Sequence, residues 1–417
     1  MKISFVTPWY GEKIPGGAES ACRKTALSLK KKGFDVEILT TCVKDFHSDW
    51  SVNFHKEGAS PAEGLTVRRF KARKRDTRSF DAVNRKLIHT DMGRFKLSRS
   101  ARPDASPVSK IEEKIYISET VNSPALYEYI ERNRGAYDFF IFIPYMFGTT
   151  YFGSRAAGGK SVLIPCLHDE SYAYLSIYRD IFQSSYGVIF LSPSEQRLSE
   201  SIFGPLRREV LMGGGVDQDF ASDGERFRKK YSIQGPFMLY AGRKDAGKNT
   251  PLLIDYFCRF KKDDPVNPLK LVLIGAGRAA VPSAFKRDVI DLGFMEAQDK
   301  FDAYGAAMCL CQPSLNESFS IVLMEAWAAG TPALVNSGCE VTRDFCKASG
   351  GGLYFANYPE FAECLLFMLG DAPARDRMGK NGQVFVRENF AWNIVTDRLS
   401  SVLIEWRDEH GSSPAAF

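Results

Sequence analysis

Gln312-Pro313-Ser314-Leu315-Asn316-Glu317-Ser318-Phe319-Ser320-Ile321-Val322-Leu323-Met324-Glu325-Ala326-Trp327-Ala328-Ala329-Gly330-Thr331-Pro332 decides how this chain is read. An apolar run at 308–310 precedes it, a polar loop holds Glu317, and an apolar, alanine-rich segment carries Glu325 until Gly330 and Pro332 end it. Strand, turn and helix follow in that order. The turn brings the backbone N–H groups of Ser318, Phe319, Ser320 and Ile321 to a helix start, where aligned peptide dipoles favour an anion. That anion repels Glu317 unless it carries neutral hydroxyls for the carboxylate to bind. Glu325, roughly 12 Å further along if the segment is helical, is placed to accept from a second hydroxylated group. The bland reading makes Glu317 a cap and Glu325 a solvated helix carboxylate, and for an isolated pair of glutamates it is the commoner one.

Outward from this stretch the pattern repeats. Short β-like runs at 237–240, 271–274, 308–310 and 332–335 alternate with helical runs at 250–261 and 320–329. An earlier series has runs at 3–9, 34–41, 137–143, 161–167 and 188–192, with a helix at 19–32. Strands alternating with helices mean parallel, helix-covered sheets. The pattern breaks near Gly213-Gly214-Gly215 and at the polar segment 221–234. With 417 residues, two Rossmann-like domains in tandem are expected: 1–215, and 216–391 followed by a C-terminal helix over 392–417 that returns to the first. The tail carries Trp392, Val395, Leu399, Val402 and Trp406 at helical spacing, a stripe that must pack on something.

Composition, 44% hydrophobic and 25% charged, is that of a globular chain and rules against extended disorder. The start lacks a long apolar h-region, and no run approaches the ~20 apolar residues of a membrane span, so a cytoplasmic protein is expected. Nine scattered cysteines without Cys-x-x-Cys indicate neither a disulfide framework nor a zinc site, and Cys309 and Cys311, flanking Leu310, read as core thiols. Net charge is +5, but residues 65–103 hold thirteen Lys and Arg against three Asp, a local +10 that leaves −5 for the rest. Such an excess marks an anionic partner, whether acceptor phosphates, a membrane surface or nucleic acid, or else a solvated loop.

Three further segments end an apolar run with residues suited to a polar ligand. Gly16-Gly17 opens the first helix, where backbone can approach a phosphate closely, although a plain tight turn is the commoner meaning of such a pair. Arg243 and Lys248 sit at the head of the helix after 237–240, suited to the charge that builds on a leaving diphosphate or else plain surface charges on a solvated turn. His168 follows the apolar run 161–167, the one histidine of five so placed, although a lone histidine there is more often a satisfied structural residue than a catalytic one. Three decoys accompany them. Gly242-x4-Gly247-Lys248 resembles a phosphate loop but has Asn249 where Mg²⁺ needs a hydroxyl. Gly275-Ala276-Gly277 imitates a dinucleotide fingerprint but runs into Pro282. Asp217-Gln218-Asp219 imitates a metal pair at a domain junction. No metal site is expected.

Together these residues resemble the retaining, metal-independent GT-B glycosyltransferases of family 4, across nearly the whole chain: Gly16-Gly17, His168, Arg243 with Lys248, and Glu317 with Glu325. The resemblance implies two Rossmann-like domains facing each other across a cleft, the first binding the acceptor and the second a nucleotide sugar. It implies that Arg243 and Lys248 hold the donor diphosphate, aided by the amides of Gly17 and of Ser318 to Ile321. Glu325 would bind the ribose, Glu317 the hydroxyls of the transferred sugar, and His168 the region of its anomeric centre, with Gly275 and Phe294 bordering the base. The donor is then a substrate, a GDP- or UDP-sugar with mannose favoured, and no cofactor is required. The acceptor would be a glycan or lipid-linked glycan of bacterial surface polysaccharide assembly, with peripheral inner-membrane contact through 65–103. Ser318 and Ser320 depart from the family pattern, which favours glycine there. An ATPase or switch built on the Lys248 loop is the competing enzyme reading. A nucleic-acid module using the basic segment is weaker, because aromatic stacking motifs are missing from that segment.

Overall fold

The computed structural model describes every residue except 13, 15 and 413–417, so Pro15 of the first glycine loop and the end of the expected C-terminal helix lie outside the described residues. The chain divides into two compact units, Met1–Gly215 with Val395–Phe417, and Val216–Ile394.

The first unit is built on eight strands: β1 (Lys2–Val6), β2 (Asp35–Thr41), β3 (Gly58–Ala62), β4 (Leu65–Phe70), β5 (Phe139–Phe142), β6 (Ser161–Leu163), β7 (Gly187–Phe190) and β8 (Glu209–Leu211). Their order is β3-β4-β2-β1-β5-β6-β7-β8, parallel except where β3 runs against β4. Helices cover both faces of such a sheet, so central strands are apolar throughout; β5, Phe-Phe-Ile-Phe, is buried at every position. The direction of winding reverses between β1 and β5, so the crevice above their carboxyl ends is where this topology binds ligands.

The second unit has six parallel strands, β9 (Phe237–Ala241), β10 (Lys270–Ile274), β11 (Val289–Gly293), β12 (Cys309–Gln312), β13 (Ala333–Asn336) and β14 (Gly352–Phe355), in the order β11-β10-β9-β12-β13-β14. Winding reverses between β9 and β12. Trp327, fully buried, fixes the helix Ile321–Ala328 by donating its indole N–H to Gly351 O at 2.8 Å. The helix Ala372–Asn389 closes over it, with Gly382 so near that an added Cβ would lie 2.3 Å from the indole.

The long helix Trp392–Ser412 begins in the second unit and from Val395 belongs to the first. Its buried stripe is Val395, Leu399, Leu403 and Trp406; Leu403 replaces the expected Val402, one position round the helix. Trp406 lies on Gly187, its backbone carbonyl accepts from Tyr186 Oη at 2.8 Å, and Glu409 pairs with Arg208 at 2.9 Å.

Other sequence expectations are corrected by local chemistry. The run 161–167 is a strand only to Leu163, because Pro165 has no N–H and Cys166 takes a left-handed conformation (φ 53°). Segment 221–234 holds a helix, Gly224–Tyr231, started by the Asp223 carboxylate accepting from Arg226 N. Edge strands β3, β8, β11 and β14 have mixed or exposed burial patterns and lack the apolar run by which the central strands were read. Segment 65–103 is not a solvated loop but β4 and the helices Thr77–Ile88 and Met92–Ala101. Much of its excess charge is answered locally. Arg68 pairs with Glu37, Arg73 with Glu119, Lys86 with Glu112 and Lys96 with Asp169, while Arg75 stacks on Trp50 and Phe80. Cys309 and Cys311 are buried, free thiols, and burial pushes Cys309 up to about 12. No described helix is long and apolar enough to cross a membrane.

Candidate active site

The second unit gathers most of the candidates along the carboxyl edge of its sheet. Phe294 follows β11, Gly275 follows β10, Arg243 and Lys248 follow β9, and Glu317 follows β12, so four neighbouring strands each deliver one part. Gly275 has φ +116°, and a Cβ there would lie 2.1 Å from Gly242 O; only glycine lets the two loops meet. Phe294 is 74% exposed, a free aromatic face beside them.

Lys248 closes a short turn, Ala246–Lys248, whose start is capped by Asp245 accepting from Lys248 N at 2.9 Å. Its ammonium lies 2.7 Å from Glu317 Oε1, in a largely buried pair. The Gln312 side-chain amide donates to the same Oε1 at 3.3 Å and to Ser320 Oγ at 3.4 Å, while Gln312 Oε1 is buried without a partner. Arg243 is half-exposed, with Nε 3.5 Å from Asp245. Asn249, which takes the place of the Mg²⁺-binding hydroxyl in a phosphate loop, instead donates to Pro313 O at 3.1 Å and ties the β9 and β12 loops together.

The turn 318–321 behaves as its sequence departure demands. Ser320 stands at the N-cap in the left-handed region (φ 65°) without capping by its side chain. A non-glycine residue held there costs about 1 kcal/mol or more, and such strain collects at ligand clamps. The first N–H groups of the helix Ile321–Ala328 have no acceptor within the helix, and Phe319 is anchored beneath them against Phe345 and Phe390. One turn on, Glu325 is buried, accepting from Lys300 Nζ at 2.7 Å and Tyr304 Oη at 3.0 Å. Burial, with Glu325 beside it, pushes the Tyr304 phenol well up, so it stays a donor.

In the first unit, Gly17 opens the helix Gly17–Lys31, and an added side chain there would meet open space. Gly16 differs. The Glu19 carboxylate, held by Trp9 Nε1 at 2.6 Å, lies where a Gly16 Cβ would point, so a phosphate at Gly16 meets a negative charge. Gly17 is the better approach. His168 is about three-tenths exposed, with Nδ1 3.5 Å from Glu170. Asp217 of the metal-like triplet accepts from Trp392 Nε1 at 2.8 Å, and no metal-binding group of three His, Cys, Asp or Glu exists among the described residues.

Sequence reasoning missed several members. Lys244, between two more conspicuous charges, has a fully buried side chain paired with Asp291. Burial raises Asp291, but Lys244 and the N–H groups of Ala279 and Gly293 outweigh it and hold the carboxyl below its usual range. The signal was an aspartate inside the run Val289-Ile290-Asp291-Leu292. Gln312, Lys300 and Tyr304 carried no comparable mark.

Residues 223–385, most of the second unit, match the family model described as Glycosyl transferases group 1. The Anabaena protein HepE, solved in complex with UDP and glucose, superposes with a TM-score of 0.66 at 14% identity, covering 97% of this chain and 100% of that one. The chain has the GT-B fold. Among sequence relatives, the D-inositol 3-phosphate glycosyltransferase of Corynebacterium efficiens is 28% identical over 195 residues, 43% of this chain and 46% of that protein. The phosphatidyl-myo-inositol mannosyltransferase of Mycobacterium tuberculosis is 27% identical over 246 residues, 55% and 62% respectively. The GT-B chain thus spans about half the length of the first of these relatives.

Proposed function

We propose that the protein is a retaining glycosyltransferase that moves a hexose from a nucleoside-diphosphate sugar to a glycan or lipid-linked acceptor. One observation carries the reading: an aromatic face with a glycine gap, then two cations, then a carboxylate follow one another over the adjacent ends of β11, β10, β9 and β12, the order of base, diphosphate and sugar along a sugar nucleotide. In this reading Phe294 and Gly275 border the base and Glu325 binds the ribose hydroxyls. Arg243, Lys248 and the amides of Ser318 to Ile321 stabilise charge on the departing diphosphate, with Gly17 assisting. Lys248 has three N–H donors and spends one on Glu317, leaving donors for phosphate. Glu317, with one oxygen committed to Lys248 and Gln312, has the other for sugar hydroxyls. His168 serves the transferred sugar.

The leaving phosphate takes the acceptor's proton on the face it departs from, so configuration is retained without a protein nucleophile; orientation and charge stabilisation supply the rate. No resident metal takes part. Mannose is favoured by the mannosyltransferase among the relatives, and glucose is the second reading, favoured by the HepE complex. Phosphorylated acceptors are named for both relatives, which suits the cations of 65–103 that lack a carboxylate partner, at the inner membrane face or in solution.

The test is a thermal-shift screen of UDP-, GDP- and ADP-sugars with EDTA present, followed by transfer assays of Lys248→Ala and Glu317→Gln. One sugar nucleotide should raise the melting point by mass action, and both variants should lose at least a hundredfold in turnover. Magnesium-dependent ATP hydrolysis without sugar-nucleotide binding would overturn the reading.

A further inference from the structure

Glu195, in the first turn of the helix Pro193–Phe203, is 1% exposed. Its two oxygens are divided between two loops at the carboxyl edge of the first sheet. Oε1 accepts from Leu167 N at 2.6 Å and Oε2 from Leu191 N at 2.7 Å, while its own N–H goes to Ser192 Oγ at 3.2 Å. A glutamate at this helix position ordinarily turns back to the N-cap residue's own N–H. Here the Ser192 N–H still contributes, and the carboxylate also reaches 28 positions up the chain, to the residue before His168.

That segment is held from outside the sheet's ladder: Pro165 O accepts from Tyr145 N at 3.1 Å and Asp169 from Tyr174 Oη at 2.8 Å, while Glu195 takes the N–H between them. β6 ends at Leu163, Ile164 makes one more ladder bond to Phe142 O, and the chain then passes through Pro165 and the left-handed Cys166. Beyond Ile164, the N–H of Leu167 is therefore fixed by a side chain rather than by the sheet. Both carboxylate oxygens face N–H donors, so charge and shape are matched to two acceptors, a task a neutral amide cannot repeat: glutamine offers one acceptor and sets its NH₂ against the other N–H.

We propose that Glu195 is the positioning residue of His168: its carboxylate braces the 164–170 segment against the end of β7 and fixes how the imidazole is presented. The inference rests on the role given above to His168. Burial raises the Glu195 carboxyl to about 7, opposed by the N–H groups of Leu191 and Leu167, by His168 and by the N–H of Ser192. His168 is the titrating group that faces it, with Glu170 3.5 Å from Nδ1; Leu167, Leu191 and Ser192 do not titrate, and Arg197 on the same helix is bonded to Ser194 Oγ at 3.1 Å. The brace is made by the ionised form, so it weakens as pH falls through about 7.

The experiment uses the full chain with Glu195→Gln, and with Glu195→Asp in case the first fails to fold. Amide hydrogen exchange at 164–170 reads the brace alone. It should quicken about tenfold or more in the glutamine variant, and unchanged exchange would overturn the proposal. Transfer kinetics read the consequence. Turnover should fall about 10- to 100-fold, in line with small displacements of a reacting group, donor KM should stay within about twofold, and the acid limb near pH 7 should vanish. A loss of turnover that leaves the pH profile untouched would also overturn it. His168→Ala separates the two readings: full activity in that variant removes the histidine's role in transfer, whereas unchanged exchange in Glu195→Gln removes only the brace.

Discussion

Replacing Glu325 by glutamine isolates the donor-binding claim from the fold. The carboxylate is buried and accepts from Lys300 Nζ and Tyr304 Oη, and the Tyr304 ring is fully buried. Alanine would orphan the phenol at about 1–3 kcal/mol, confounding any binding measurement. Glutamine keeps the volume and an oxygen for Tyr304, and loses the ion pair with Lys300. That lysine is 30% exposed, so the pair contributes about 1 kcal/mol or less. Two ribose hydroxyls donating to a carboxylate are each worth about 1 kcal/mol more than the same bonds to an amide. The expected loss is therefore about 2 kcal/mol of donor affinity, roughly a thirtyfold rise in Kd, against a melting point lowered by a few degrees at most. Calorimetric titration of wild type and variant with UDP and GDP measures it. An unchanged Kd for the nucleotide that binds wild type would refute the assignment of Glu325 to the ribose.

Gly275→Ala forces its Cβ against Gly242 O, so nucleotide affinity should fall at least tenfold by titration while far-UV circular dichroism stays native. Gly379→Ala would set a Cβ 2.0 Å from Gly330 O and push the helix Ala372–Asn389 off the helix Ile321–Ala328; about 1–3 kcal/mol of stability should be lost in urea unfolding. For Glu195, the folded-state pKa is raised from 4.5 to about 7, so between those values the folded protein binds more protons than the unfolded chain and stability falls as pH rises. The melting point of Glu195→Gln relative to wild type should accordingly shift in the variant's favour between pH 5 and pH 8 in differential scanning fluorimetry.

Both alternating domains were readable because central parallel strands are apolar runs with glycine or proline at their ends. The loops were readable because charged residues stand where those runs end, as at Arg243, Lys248 and Glu317. What escaped was set by partners distant in sequence. Lys244 is buried only because Asp291, 47 positions on, reaches it. Glu195 looks like an ordinary helix-capping acid, and nothing in Ser192-Pro193-Ser194-Glu195 announces Leu167. Gly16 looked as open as Gly17 until Glu19 was seen folded over it. The same holds for the basic segment, because Glu37, Glu119, Glu112 and Asp169, which pair with four of its cations, all lie outside it.

Hydrogen exchange of the full chain with and without a saturating nucleoside diphosphate reads the central claim most directly. Protection concentrated at residues 242–248 and 314–325, with a smaller effect beside Gly275 and Phe294, is the predicted result. Protection confined to other surfaces, or none at saturation, would contradict it.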